Sequence, residues 1–238
     1  MSSPVTPQIL YADRLESTIG TLLLIHDREG HVRALKFQGF ESRMRRLLRL
    51  HYGAEGNDFA IEDRAASAPI RRAISDYFSG DLCAINSIPV TTGGTSFQRE
   101  VWAALRTIQA GTRLSYGALA RQLGRPKSVR AVGLANAANP VAIVVPCHRV
   151  IGTDGSLTGY GGGISRKRWL LVHEGVALEK FATRRIPEAH ETLKQRRCSA
   201  NELAETPRRH GDPPMARQVI EKAEAFQKMN RMREGFLP

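Results

Sequence analysis

Pro146-Cys147-His148-Arg149-Val150 follows an apolar run at 142–145 and precedes a glycine-rich loop at 152–163. A thiol is a good nucleophile only as the thiolate, and free cysteine ionises near pH ~8.5. An imidazole next to Cys147 makes it a candidate nucleophile, because His148 can take the thiol proton. Neighbouring side chains on a straight strand point to opposite faces, so the backbone must bend between Pro146 and Arg149 for the pair to serve one site. The apolar run before it reads as a buried strand leading into that bend.

Upstream, Thr95 and Gln98 have capping-box spacing and open a helix whose apolar stripe is Phe97, Val101, Leu105 and Ile108. Gly111 breaks it. Ser115 is placed to cap a short helix over 116–123, and Gly124-Arg125-Pro126-Lys127 forms a tight turn. Ser128 then caps a second helix to about Ala138, where Asn139-Pro140 stops it. Two short helices joined by a glycine-containing turn predict a helix-turn-helix. Downstream, Ser165 is placed to cap a last helix through Trp169, Leu170, Leu171 and His173, with Glu174 at its end and Gly175 beyond.

Residues 19–38 predict a β-hairpin turning at Asp27-Arg28-Glu29-Gly30. Amphipathic helices follow near 40–51 and 66–79, with Gly80 as the cap of the second. The chain thus divides into an α/β domain over 1–92, a mostly α domain with a helix-turn-helix over 93–177, and a basic C-terminal extension over 178–238. The extension has a helical pattern near 215–233 and is otherwise polar, with both a disordered reading and a phosphate-contacting one open.

The formal charge of +12 is uneven. Residues 1–95 carry 11 basic and 11 acidic side chains, a net of zero; residues 96–179 carry 11 and 4, a net of +7; residues 180–238 carry 13 and 8, a net of +5. A polyanion suits the segment that holds Cys147 and His148. No run of 18 apolar residues predicts a membrane span, and the N-terminus lacks a signal-peptide pattern. Cys83, Cys147 and Cys198 form neither a disulfide framework nor a C-x-x-C pair, so a reducing interior compartment fits, cytoplasmic or, in a eukaryote, nuclear.

The second helix, 128–138, bears one long cation, Arg130, among small residues such as Ala131, Gly133 and Ala137. Small residues admit close approach to a groove wall, and a lone long side chain suits the minor groove better than major-groove base reading. A helix packed inside the domain, with Arg130 in an ion pair, is the competing reading.

Residues 96–176 resemble the C-terminal domain of the O6-alkylguanine-DNA alkyltransferases (methylated-DNA–protein-cysteine methyltransferases). The likeness rests on Phe97-Gln98, Val101-Trp102, Ser115-Tyr116-Gly117, Arg130-Ala131-Val132-Gly133, Asn139-Pro140, the Pro146 to Gly152 run, Gly159-Tyr160 and His173-Glu174-Gly175. Residues 1–92 resemble the family's ribonuclease-H-like N-terminal domain more loosely. The resemblance implies repair of double-stranded DNA by a monomer that flips O6-alkylguanine out through the minor groove. Arg130 fills the gap, and Ser128, Ala131, Gly133 and Tyr116 join it at the DNA. Cys147 takes the alkyl group irreversibly, so each molecule acts once, on O6-alkylguanine and in some relatives on O4-alkylthymine.

In that scheme His148 accepts the thiol proton through a water and Glu174 orients it, while Tyr116 protonates the leaving base. Asn139 braces the bend. The carbonyl of Val150 and the amides of Gly161 and Gly162 meet the guanine edge; Tyr160 and Pro140 wall the alkyl pocket. Gly161 departs from relatives that carry serine there. No cofactor is implied. Some relatives hold zinc in the first domain, but here Cys83, His26, His31 and His51 are its only Cys and His residues, so no metal is expected. Two other functions fit parts of the pattern: a base-flipping lesion sensor that does not react, whose known relatives replace the cysteine, and a thiol hydrolase, which leaves Arg130 and Tyr116 unexplained.

Overall fold

The computed structural model describes residues 8–52 and 59–177. The readings made of 178–238 lie outside them. Among the described residues one sheet has the strands β1 (Gln8–Leu15), β2 (Leu22–His26), β3 (Val32–Phe37) and β4 (Phe59–Asp63), in the order β3-β2-β1-β4. β1, β2 and β3 pair antiparallel, and β4 lies parallel to β1. β2 and β3 are the expected hairpin. β2 starts at Leu22 rather than Ile19, because Gly20 N–H closes a turn onto Ser17 O at 3.1 Å.

Every residue of β2 is buried because both faces of the sheet are covered. Leu23 and Ile25 face helix α1 (Glu41–Tyr52) through Met44 and Leu48. Leu22 and Leu24 face a second core that also holds Leu35, Phe37, Val101, Leu105, Val145 and Cys147. That core runs without a break across residue 92, so the two halves pack as one body. Helix α2 (Ala68–Phe78) lends it Ile70, Ile74 and Tyr77. β1 and β4 were not anticipated. β4 is a five-residue edge strand in which only Phe59 and Ile61 are half-buried and no residue is buried, too short and too exposed a pattern to read as a strand.

The C-terminal half comprises α3 (Ser96–Arg106), β5 (Leu114–Ser115), α4 (Tyr116–Gln122), α5 (Val129–Ala137), β6 (Val150–Ile151) and α6 (Ile164–His173). The capping box forms: Thr95 Oγ1 accepts from Gln98 N–H at 3.2 Å, and Gln98 Oε1 accepts from Thr95 N–H at 2.9 Å. Ser115 Oγ likewise accepts from Ala118 N–H at 3.1 Å. Ser128 occupies the cap position of α5 but makes no side-chain cap. Its φ of −98° and ψ of 25° lie outside the extended conformation that turns a cap side chain toward the helix amides. The cap of α6 is Gly163, at φ 91°, two residues before the expected Ser165.

Residues 142–145 are not a strand. Val144 N–H donates to Ala142 O at 2.8 Å and Val145 N–H to Val141 O at 3.0 Å, so the run coils into tight turns. Ile143 has φ 70°, a left-handed conformation that a β-branched residue adopts only under strain. Only Val141 pairs, in a bridge to Leu35 of β3. Burial made the run apolar, and an apolar run does not distinguish a buried strand from a buried turn. No helix of the described residues is long and apolar enough to cross a membrane.

Candidate active site

Cys147 opens a single 3-10 turn, Cys147–Arg149, that supplies the required bend. Asn139 holds the approach from both sides: its Nδ2 donates to Val145 O at 2.8 Å, and its Oδ1 accepts from Val141 N–H at 3.0 Å. Both bonds are buried. The amide therefore ties the end of α5 to the residues just before the cysteine.

The turn sends His148 and Arg149 to the same buried carboxylate. Glu174 Oε1 accepts from His148 Nε2 at 3.0 Å, from Arg149 Nη2 at 2.7 Å and from Tyr77 Oη at 2.8 Å. Its Oε2 accepts from Arg149 Nε at 2.8 Å, completing a two-pronged guanidinium–carboxylate pair. Arg149 Nη1 donates to Ile108 O. His148, Arg149, Glu174 and Tyr77 are all buried. Burial raises the Glu174 pKa, but Arg149 and His148 outweigh it and hold the carboxyl well below the usual range.

Glu174 is therefore an anion that can only accept, which fixes the proton of neutral His148 on Nε2. Burial lowers the His148 pKa, with Glu174 opposing and Arg149 and Lys167 adding to the fall, so the ring is neutral at pH 7. Its Nδ1 is buried with no partner and carries the free lone pair. The Tyr77 pKa is raised well above normal by burial and by the Glu174 charge, so the phenol stays a donor.

Cys147 lies at the wall of a cavity of about 160 Å³. Tyr160, Gly161, Gly162, Asn136 and Asn139 line it from the C-terminal half, and Lys36, Phe37 and Arg43 from the N-terminal half. A Cβ at Gly162 would stand 2.6 Å from the Phe37 ring and 2.9 Å from Tyr160, so only glycine fits. At Gly161 the nearest atoms would be Lys36 Nζ at 3.8 Å and Arg43 Cζ at 3.9 Å, an ordinary contact. Tyr160 Oη is buried without a partner, and its ring stands edge-on to His148 at 6.4 Å. Pro140 is buried, and its carbonyl accepts from Leu35 N–H at 3.0 Å.

The Val150 carbonyl accepts from Lys167 Nζ at 2.6 Å, which occupies one of its two lone pairs. Lys167 also donates to Thr158 O at 2.8 Å, pinning the glycine-rich loop to α6. Burial pulls the Lys167 ammonium down to about 8 against the opposing pull of Cys147. Tyr116 is half-buried, with its pKa raised by burial and its hydroxyl beside Thr158 and Asn136. It remains a neutral donor.

α5 buries Val132, Ala135 and Asn136 and exposes Arg130, Ala131, Leu134 and Ala137. Arg130 is exposed and makes no ion pair among the described residues, which speaks against the reading that buries it in an ion pair. Ser128 and Gly133 are partly buried, and Gly133 faces the Tyr116 ring. Trp102 Nε1 donates to Ala135 O at 2.8 Å on the buried side and Arg43 Nη2 to Ala137 O at 3.0 Å at the exposed end, tying the helix to both halves of the molecule.

Arg149, Tyr77, Lys36 and Lys167 were not singled out from sequence. Three had a signal: Lys167 and Tyr77 fall on the apolar stripes of α6 and α2, and Lys36 sits inside an apolar strand. A polar residue on a core face is the observation worth flagging. Asp27, Glu29 and His31 offer ligand atoms within 4.8 Å of one another, a grouping not noticed in the sequence. Arg33 and the His31 amide already engage the Asp27 carboxylate, and none of the three lines the cavity.

Comparison with known proteins places this architecture. Residues 96–176 match the family model described as 6-O-methylguanine DNA methyltransferase, DNA binding domain. A methylated-DNA--protein-cysteine methyltransferase of Salmonella typhimurium strain LT2 is 48% identical over 171 residues, covering 71% of this chain and 98% of the relative. One from Methanosarcina acetivorans is 40% identical over 166 residues, covering 70% of this chain and 99% of the relative. The crystal structure of Mycobacterium tuberculosis O6-methylguanine methyltransferase superposes with a TM-score of 0.56 at 37% identity, covering 72% of this chain and 96% of that one. Likeness at this level over nearly the whole length of these relatives means that the chain belongs to the methylated-DNA--protein-cysteine methyltransferase family.

Proposed function

We propose that this protein repairs DNA directly, by moving the alkyl group of O6-alkylguanine in a duplex onto Cys147, once per molecule. The observation that carries the reading is the Glu174 network. It leaves His148 Nδ1 as a free base buried beside a cysteine that borders a cavity.

α5 lies in the minor groove, with Ser128, Arg130, Ala131 and Gly133 toward the duplex. Arg130 stands two turns before Ala137, a lining residue, on the same exposed face. The planar guanidinium replaces the flipped guanine in the stack, offsetting an unstacking cost of a few kcal/mol. The base enters between Tyr160, Pro140 and the Gly161–Gly162 backbone. Val150 O keeps one lone pair for its edge, and Tyr116 aids rotation of the nucleotide.

The Sγ proton passes to His148 Nδ1 by way of a water, and the imidazolium is stabilised by Glu174. Sγ then bonds to the alkyl carbon as the carbon–O6 bond breaks, and the electron pair goes to guanine. Tyr116 donates a proton to the ring, limiting the charge that builds there, and regains it from solvent. The products are guanine and a thioether. A thioether has no proton to lose and no easy leaving group, so the protein is consumed.

The sheet order, with three antiparallel strands and β4 parallel to β1, supports a ribonuclease-H-like reading of 1–92. A DNA substrate puts the protein in the cytoplasm or the nucleus. Incubation with duplex DNA containing O6-methylguanine should add one methyl to the Cys147 peptide by mass spectrometry. An unmodified peptide after full incubation would overturn the reading. Methyl, ethyl and benzyl lesions in turn should define the range of groups accepted.

A further inference from the structure

The N-terminal half does more than cover the core. Lys36 is one residue past Leu35, and Leu35 pairs with the chain around Val141 through Leu35 N–H to Pro140 O at 3.0 Å and Ala142 N–H to Leu35 O at 2.9 Å. This bridge sets the end of β3 against the segment that leads to Cys147. Lys36 is 6% exposed and lines the same cavity as Cys147. Its Nζ donates to Asn139 O at 2.5 Å, the one hydrogen bond it makes among the described residues, in a direction that approaches Gly161. An ammonium has three donors, and burying one with a single carbonyl partner is costly unless negative charge is presented to it.

We propose that Lys36 is the electrostatic wall of the alkyl-transfer site, stabilising the negative charge that starts on Cys147 Sγ and ends on the departing guanine. This rests on the alkyl-transfer reading above. Alkyl transfer moves one unit of negative charge from sulfur to base across a few ångströms. A fixed cation bordering both ends of that path, in a site largely shielded from water, lowers the energy of the whole course at little reorganisation. The position at Gly161 is consistent: glycine leaves its flank open toward Lys36 Nζ, 3.8 Å from where a Cβ would be.

Burial pulls the Lys36 ammonium down to about 8, with Cys147 holding it up and Arg43 pushing it further down. The charge is thus present at pH 7 and lost in mildly alkaline solution. The groups that face it are Cys147 from the reactive turn and Arg43 and His51 from α1. On the Cys147 side the others are Lys167, Tyr116 and Tyr160. Lys36 is not among the causes acting on Lys167, Tyr116 and Tyr160, so their own titration cancels in a rate ratio, while Cys147 and His51 feel Lys36 directly and report its charge.

The test is single-turnover transfer from an O6-methylguanine duplex to the full-length protein, Lys36→Met and Lys36→Arg, between pH 6.5 and 9.5. Lesion-duplex affinity and the melting temperature are measured alongside. At pH 7, K36M should be slower by roughly 100-fold, the low end of the loss on removing one fixed stabiliser of developing charge. K36R should stay within a few-fold of the parent. The ratio of parent to K36M should fall toward one as pH rises through about 8, where the parent loses the same charge. A ratio that is constant with pH would make Lys36 a structural brace of Asn139 and overturn the proposal, as would K36M reacting like the parent at pH 7. Failure of the parent itself to methylate Cys147 would instead refute the underlying function.

Discussion

The Glu174 cluster and the outer face of α5 make opposite use of arginine. Arg149 is buried, forked onto a carboxylate and bonded to a backbone carbonyl. Arg130 is exposed on a helix of small residues and has no ion pair among the described residues. Removing either partner of a buried pair strands a charge, so in the first region fold and chemistry fail together. The second region has no internal partner to strand, and function there separates from stability.

The sharpest test of this contrast is Glu174→Ala. It removes the acceptor of His148 Nε2 and leaves Arg149 and Tyr77 without a counterpart. Transfer to Cys147 should fall by up to about ten-thousandfold, the loss seen when the orienting acid of a triad is replaced. Urea unfolding should show a stability loss of about 3–5 kcal/mol. Wild-type stability in E174A would mean that Arg149 finds water, and the region would not be the closed network described.

Arg130→Ala should show the reverse pattern. Single-turnover transfer from duplex DNA should slow by about a hundredfold, reflecting a few kcal/mol of unstacking left uncompensated. Urea stability should stay within about 0.5 kcal/mol of the parent. Reaction with free O6-benzylguanine, which needs no flipping, should be unchanged. An equal loss on the free base would place Arg130 in the chemistry rather than at the groove.

Gly162→Ala probes the border between the two regions. The new methyl would stand 2.6 Å from the Phe37 ring, which is packed beneath the Arg166 guanidinium at 4.5 Å and cannot easily yield. Transfer should slow by roughly tenfold and stability fall by about 1–3 kcal/mol, the range for overpacking. Gly161→Ala, meeting nothing closer than 3.8 Å, should change stability little.

What the sequence disclosed follows the same division. Cys147, His148, Asn139 and Glu174 sit at the ends of local elements, where spacing and caps are informative. The α3 capping box and the Ser115 cap could be read because both are settled within four residues. Ser128 looked like Ser115 and differs only in backbone angles, which tertiary packing sets. The 142–145 run hid a turn because burial erases the polar punctuation that marks turns elsewhere. Lys36 and Tyr77 reach the site from the other half of the chain, 111 and 70 residues before Cys147 by their numbers, and no local pattern encodes that approach.

The smallest effect expected concerns acid. The His148 pKa is lowered in the fold, so below about pH 6.5 the unfolded chain takes a proton that the folded one refuses. Stability from this group is present above that pH and declines as pH falls, by at most about 1.4 kcal/mol per pH unit. Glu174, also depressed, adds a second decline in the same direction once pH drops below the ordinary glutamate range near ~4.3. Thermal melts from pH 7 down to 5 should therefore report His148 together with His51, whose pKa burial also lowers, as a drop that begins near pH ~6.5. The R130A curve should run parallel to the parent, because the exposed face takes no part in this linkage. His148→Gln, which has no proton to take up, should make the slope between pH 6.5 and 5 shallower, leaving the part that His51 contributes. A slope of unchanged steepness in that variant would assign the acid sensitivity to some other group and remove the buried neutral imidazole from the account of the site.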